Sequence, residues 1–332
     1  MPGAEFTRVL AAEVEKWTRV AREANIKVES IVRRKALRFS ALRIEGATVI
    51  SDVGVIGLGI IGKPIALRLV DAGFRVFVYD VRDEPVAALQ AAGAIACASS
   101  ADVAGCSDII ISLVLDGAQT DDVVFGPRGL MQSIRPGTLF ATGSTLGPAP
   151  VRRIAAALNE KGCSTIDMPI TGGYLAAYEG KLILLVGGAE DIIARAKPVF
   201  SSFAHIIIRA GDIGAGQAAK LAHQLIMGVN IMALLEGLSL GVAGGVEPSI
   251  LRQIISDGIA NSNVLQIWAD LGPRWKNMLA PAAPGAKLPN LRKDLHTALE
   301  LAHALGVSLP IGAQASLIAD AGIATGHDNP LL

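Results

Sequence analysis

Cysteine is scarce in this chain of 332 residues: Cys97, Cys106 and Cys163 are the whole set. Their number is odd and their spacing wide, and no CxxC pair or histidine cluster at metal-ligand spacing accompanies them. A disulfide framework and a zinc site are therefore both excluded as organising devices, and no metal site is expected. The three read as buried small hydrophobic residues in a reducing compartment, so a cytoplasmic protein is expected. Net charge is absent too. Thirty Lys and Arg balance thirty Asp and Glu, so no long-range field favours nucleic acid or an anionic membrane, and the partner is expected to be small. Aromatic residues make up only 4% of the chain. With a 51% hydrophobic content, this points to a helix-rich interior with further surface hidden in a subunit interface. No apolar stretch is expected to reach the eighteen or so residues of a membrane span. The greasiest region, Leu225 to Val246, carries Asn230, Glu236 and several glycines and reads as a buried helix.

Length sets the next bound. Single cores stop growing near this size, so two domains are expected. Residues 1–50 stand apart as an N-terminal extension rich in Arg and Glu. They lack the apolar region of a signal peptide, and their acidic residues argue against a transit peptide. Phe6, Leu10, Val14 and Trp17 recur near helical spacing, which predicts a short amphipathic helix there.

From Val53 the texture alternates. Short apolar runs at Val53–Ile56, Arg75–Tyr79, Asp108–Leu115, Gly137–Ala141, Ser164–Asp167 and Leu182–Val186 are separated by helical stretches such as Pro64–Ala72 and Val151–Leu158. This alternation indicates an α/β fold with a mostly parallel sheet covered on both faces. After Gly211 the strand signals stop, and a long helix from Ala215 to about Ala243 leads into a helical remainder. The expected organisation is a nucleotide-binding type domain over residues 51–213 and an all-α domain over residues 214–332, joined by that interdomain helix. Its first turns would lie at the mouth between the domains, where substrates usually sit.

Gly57-Leu58-Gly59-Ile60-Ile61-Gly62 follows the first strand and opens a helix. In that context GxGxxG reads as a Rossmann-type dinucleotide fingerprint: Gly57 makes the tight turn, Gly59 lets the backbone approach a pyrophosphate, and Gly62 lets helix and strand pack closely. Asp80, at the end of the second strand, is placed to accept hydrogen bonds from a ribose diol and to repel a 2′-phosphate, so NAD is expected over NADP. Arg82 is the competing signal, because a guanidinium two residues on could pair with that phosphate.

Further segments follow in order: Asp167-Met168-Pro169-Ile170-Thr171-Gly172-Gly173, Gly214-Ala215-Gly216-Gln217-Ala218-Ala219-Lys220, Lys293-Asp294-Leu295 and Gly306-Val307-Ser308-Leu309-Pro310. Together with the fingerprint they resemble the β-hydroxyacid dehydrogenase family, which includes 3-hydroxyisobutyrate dehydrogenase, tartronate semialdehyde reductase and, more distantly, 6-phosphogluconate dehydrogenase. Ile61 stands where that family has Met, and Thr171 where it has Ser. The resemblance implies that Ser144 and Thr145 lie close to nicotinamide and substrate, and that Lys293 closes the cleft on the cofactor side. It also implies an NAD(P)-dependent enzyme, expected as a homodimer or homotetramer, acting on a small anionic hydroxy acid. Imine reduction and a catalytically silent cofactor-binding scaffold are the alternatives; the presence of Lys220 counts against both.

The chemistry can be argued from the residues alone. Moving a hydride to or from a hydroxyl-bearing carbon requires a group that takes and returns the hydroxyl proton. Lysine can do so once desolvation or a nearby cation lowers its pKa from about 10.4 toward neutrality. Lys220, in the first turns of a largely apolar helix, is the expected proton shuttle. His223 and Gln224 lie three and four residues on, hence on the same helical face, and are candidate substrate contacts. Gln224 replaces the shorter asparagine of many relatives, which bears on substrate identity. Thr171, Gly172 and Gly173 would present a hydroxyl and backbone amides to a carboxylate, while Asp294 is as apt to cap or pair structurally.

Overall fold

The structure, a computed structural model, describes residues 50–266 and 287–326. The helix expected around Phe6–Trp17 and most of the N-terminal extension lie outside the described residues. Six strands pair in parallel: β1 (Asp52–Ile56), β2 (Arg75–Tyr79), β3 (Ile95–Ala96), β4 (Ile109–Ser112), β5 (Leu139–Thr142) and β6 (Ser164–Asp167), in the spatial order β3-β2-β1-β4-β5-β6. The order reverses beside β1, which has β2 on one side and β4 on the other. In open α/β sheets a crevice forms outside the carboxyl ends of the strands at such a point, and ligands bind there.

Alternation along the strands builds two cores, one on each face. Val53, Val55, Ile109, Ile111, Leu139 and Ala141 pack on one side, and Ile56, Ile110 and Phe140 on the other. Helices α1 (Gly62–Asp71), α2 (Asp83–Ala91), α3 (Ser100–Cys106), α4 (Gly117–Phe125) and α5 (Pro148–Asn159) connect the strands. After β6 the pattern departs from a purely parallel sheet. The short β7 (Ile170–Thr171) leads through α6 (Gly173–Glu179) to β8 (Leu182–Gly187), which runs antiparallel to both β6 and β7. Then α7 (Glu190–Phe200) returns the chain to β9 (Ala204–Gly211), parallel to β8.

Helix α8 (Ala215–Ala243, 29 residues) follows, and α9 (Pro248–Asp257), α10 (Leu288–Leu305) and α11 (Pro310–Ala324) complete the described residues, which contain no strand after Gly211. A third core joins Ile231 and Met232 of α8 to Leu288, Leu291 and Leu295 of α10 and Ala315 and Ala319 of α11. Gly228 permits the close crossing, since a Cβ there would stand 3.1 Å from the Leu295 side chain.

Four expectations need correction. Helix α8 is long and apolar enough, by length and composition, to cross a membrane, contrary to the expectation that no stretch would be. Nor is its greasiest part a buried helix: from Leu225 onward only Gly228, Ile231 and Met232 are buried. The helix carries apolar residues on every face, so its sequence does not mark which face packs. The sheet is not covered on both faces throughout, because most residues of β9 are exposed, Ile206 and Ile208 among them. Finally, only Cys163 is buried; Cys97 is half-buried, and Cys106, at the end of α3, is exposed.

Candidate active site

The first corner of the site is the turn from β1 into α1. Gly57 has φ +86°, its amide donates to Tyr79 O at 3.0 Å, and a Cβ on it would meet the Leu113 carbonyl at 2.8 Å. Gly62 is tighter still: a Cβ there would stand 1.8 Å from Gly57 O. Around Gly59, by contrast, a Cβ would meet nothing within 4 Å. Helix α1 has no side-chain N-cap and no acidic residue in its first turn, which leaves its positive end for an anion. These residues fit a dinucleotide pyrophosphate. Asp80 lies at the neighbouring strand end, its side chain only 7% exposed. Its carboxylate accepts from Leu58 N at 2.6 Å and from Arg82 N, Nε and Nη2 at 2.9, 3.0 and 3.2 Å. Burial would raise its pKa, but the bonds from Arg82 and Leu58 outweigh that and hold it below the usual carboxylate value.

The second corner is the start of α8. Lys220 is buried, and its Nζ donates to Ile170 O at 2.8 Å. The bond joins it to β7, immediately before Thr171, Gly172 and Gly173. Gly172 and Gly173 adopt φ +119° and +72° to turn the chain into α6, and both are exposed. Desolvation lowers the Lys220 pKa from 10.5 to about 8; Asp294 opposes the shift and Lys293 reinforces it. His223 is likewise lowered, chiefly by burial and then by the Lys220 charge.

The third corner comes from α10. Lys293 Nζ donates to Thr145 O at 3.1 Å and to Asp294 Oδ1 at 2.8 Å. Asp294 Oδ2 accepts from Gln224 Nε2 at 2.6 Å, and Gln224 Oε1 lies 3.2 Å from His223 Nδ1. The structure thus gathers Lys220, His223, Gln224, Lys293, Thr145 and the Thr171–Gly173 loop at one junction. Two side chains are turned inward. Ser144 Oγ donates to Val114 O at 2.6 Å, and Gln224 is committed to Asp294.

The comparisons with known proteins follow the same order along the chain. Residues 52–211 match the NAD binding domain of 6-phosphogluconate dehydrogenase, and residues 214–329 match the NAD-binding domain of NADP-dependent 3-hydroxyisobutyrate dehydrogenase. The 2-(hydroxymethyl)glutarate dehydrogenase of Eubacterium barkeri is 34% identical over 274 residues, 82% of this chain and 90% of that protein. The 2-hydroxy-3-oxopropionate reductase of Escherichia coli (strain K12) is 35% identical over 259 residues, 78% of this chain and 86% of that protein. The chain belongs to the β-hydroxyacid dehydrogenase family. As a member it is an NAD(P)-dependent oxidoreductase. A crystal structure of 3-hydroxyisobutyrate dehydrogenase from Salmonella typhimurium shares the fold at a TM-score of 0.75 and 28% identity, over 84% of this chain and 97% of that one.

Sequence reasoning missed two buried residues that brace this junction. Gln217 is fully buried, and its side chain accepts from Leu146 N and Gly147 N at 2.8 and 3.2 Å while donating to Ser144 O at 2.9 Å. Asp167, also fully buried, accepts from Gly214 N at 2.6 Å and Gln217 N at 2.7 Å. The signal was present: two polar residues inside apolar segments, each in a motif whose other members carried roles.

Proposed function

We propose that the protein catalyses the reversible oxidation of a short β-hydroxy acid to a semialdehyde or keto acid, with NAD preferred and Lys220 as the general acid–base. The observation that carries this reading is the buried ammonium of Lys220, tied to the backbone just before the Thr171–Gly173 loop, with its pKa pulled to about 8. A neutral Lys220 takes the hydroxyl proton in the oxidative direction, and its ammonium returns that proton in reduction. A bound nicotinamide dinucleotide would accept or supply the hydride. Gly57, Leu58, Gly59, Ile60, Ile61 and Gly62 would hold its pyrophosphate at the N-terminus of α1, and Asp80 would hold its adenosine ribose. Thr171, Gly172 and Gly173 orient the substrate carboxylate with a hydroxyl and two amides. Ser144 and His223 border the site, and Lys293 locks Thr145 from the helical side.

Spectrophotometric assay of NAD and NADP reduction against C3 to C6 hydroxy acids tests this reading. Turnover of at least one β-hydroxy acid, faster with NAD, is expected; tight NADH binding with no turnover on the whole panel contradicts it. A cytoplasmic homodimer or homotetramer completes the proposal. The oligomer is supported by exposed Ile226, Leu240 and Val242 on α8 and Ile250 and Ile254 on α9, apolar surface of the kind a subunit interface covers. Light scattering that finds a monomer would remove it.

A further inference from the structure

Three segments must meet for Lys220 to face a substrate: the Ser144–Gly147 loop after β5, the β6–β7 segment leading to Thr171, and the first turn of α8. Asp167 holds the second to the third through its two short bonds from Gly214 N and Gln217 N. The fit allows no slack, since a Cβ on Gly216 would lie 2.7 Å from Asp167 Oδ2 and 2.4 Å from Leu185 O. Gln217 then holds the third segment to the first, through three bonds made by one amide. Neither side chain has any exposed surface, so water cannot replace a bond that is lost, and burial makes each unmet group costly. Lys220 lies three residues after Gln217, on the same helical face. Lys293 reaches the clamped loop at Thr145 O. The clamp therefore sets where Lys220 lies relative to both the substrate loop and the cofactor side.

We propose that Asp167 and Gln217 are positioning residues for the reaction: touching no reactant, they fix the orientation and desolvation of Lys220 by joining the three segments that form the site. The inference rests on Lys220 being the general acid–base. Its test is steady-state kinetics over pH on the full-length enzyme and its Gln217→Met, Gln217→Glu and Lys220→Ala variants, with the best hydroxy acid and NAD. Methionine keeps the volume of Gln217 and loses all three side-chain bonds. Gln217→Met is expected to lower kcat roughly 10- to 100-fold, the effect of a misplacement of about 1 Å, while KM for NAD changes less than about threefold. The midpoint of the oxidative pH profile should rise from about 8 toward 10.5 as the loop loosens and water reaches Lys220. The charged groups around that lysine, Asp294 and Lys293 on α10 and His223 on α8, are unaltered in Gln217→Met.

Gln217→Glu keeps the acceptor for Leu146 and Gly147 and loses the donor to Ser144 O, so its kcat should fall between those of the unaltered enzyme and Gln217→Met. If Gln217→Met does not fold, a kcat loss in Gln217→Glu with KM for NAD retained decides the matter in its place. An unchanged kcat and pH midpoint, or a loss confined to thermal stability and NADH affinity, overturns the inference. If Lys220→Ala retains turnover, the acid–base assignment fails; if Lys220→Ala is inactive and the Gln217 variants are normal, the clamp alone fails.

Discussion

Removing the Asp80 carboxylate should reverse the cofactor preference rather than merely weaken binding. In the unaltered protein Asp80 is nearly buried beside the fingerprint turn, and its oxygens already hold Leu58 N and the Arg82 guanidinium. A ribose diol that donates to this carboxylate makes hydrogen bonds to a charged group, each worth about 1.5–3 kcal/mol. Asp80→Ala should therefore lower kcat/KM for NAD roughly 10- to 100-fold, at about 1.4 kcal/mol per tenfold. The same substitution removes the charge that repels a 2′-phosphate and frees Arg82, whose side chain is 58% exposed, to pair with that phosphate. Efficiency with NADP should consequently rise while that with NAD falls. Initial rates with both cofactors at fixed hydroxy acid measure the ratio directly. A ratio unchanged in the variant, or an unaltered enzyme that already uses NADP as well as NAD, would refute the reasoning and give Arg82 the deciding role.

Two other outcomes follow from the geometry. Gly62→Ala places a Cβ 1.8 Å from Gly57 O, so a fluorescence titration should find NADH binding lost; near-normal affinity in a folded variant would contradict the packing at that turn. Lys220→Met should raise thermal stability at pH 7 while abolishing turnover. The folded-state pKa of Lys220 is depressed from 10.5 to about 8, so the unfolded chain binds the extra proton between those values. Stability thus rises with pH through that window, and below it the buried ammonium costs about 3 kcal/mol at about 1.4 kcal/mol per pH unit. The methionine variant escapes this cost, less roughly 1 kcal/mol for the bond to Ile170 O. Its advantage in melting temperature should shrink as pH approaches 10.5, and a melting temperature below that of the unaltered enzyme at pH 7 would contradict it.

Much of the scaffold was legible because local chemistry and tertiary packing agree. Arg75–Tyr79 and Ser164–Asp167 were located to the residue, and Ala215 to Ala243 was recognisable as one helix because no glycine or proline cluster interrupts it. Edge strand β9 was not legible: its exposed isoleucines mimic neither the alternating nor the fully buried pattern. The antiparallel turn of β8 depends on the short β7 crossing, which two residues cannot announce. At the site, the place of the glycines in the β1–α1 turn and of Lys220 in the first turns of α8 was readable from their spacing. The inward turn of Ser144 and the commitment of Gln224 to Asp294 depend on partners 30 and 70 residues away. The clamp of Asp167 and Gln217 was hidden for the same reason, since its bonds span up to 73 residues.

The pH dependence of turnover in the unaltered enzyme and in Lys220→Ala and Lys220→Arg tests the central assignment most directly. The account predicts that the oxidative rate of the unaltered enzyme rises with pH through a midpoint of about 8, as a base that must first be neutral requires. Lys220→Ala should lose about two or more orders of magnitude in kcat, lack that inflection and keep its NADH affinity. Lys220→Arg should be nearly as slow, because a guanidinium does not release its proton near neutral pH. An alanine variant that keeps most of its turnover, or retains the inflection, would contradict the account and make His223 the next candidate base.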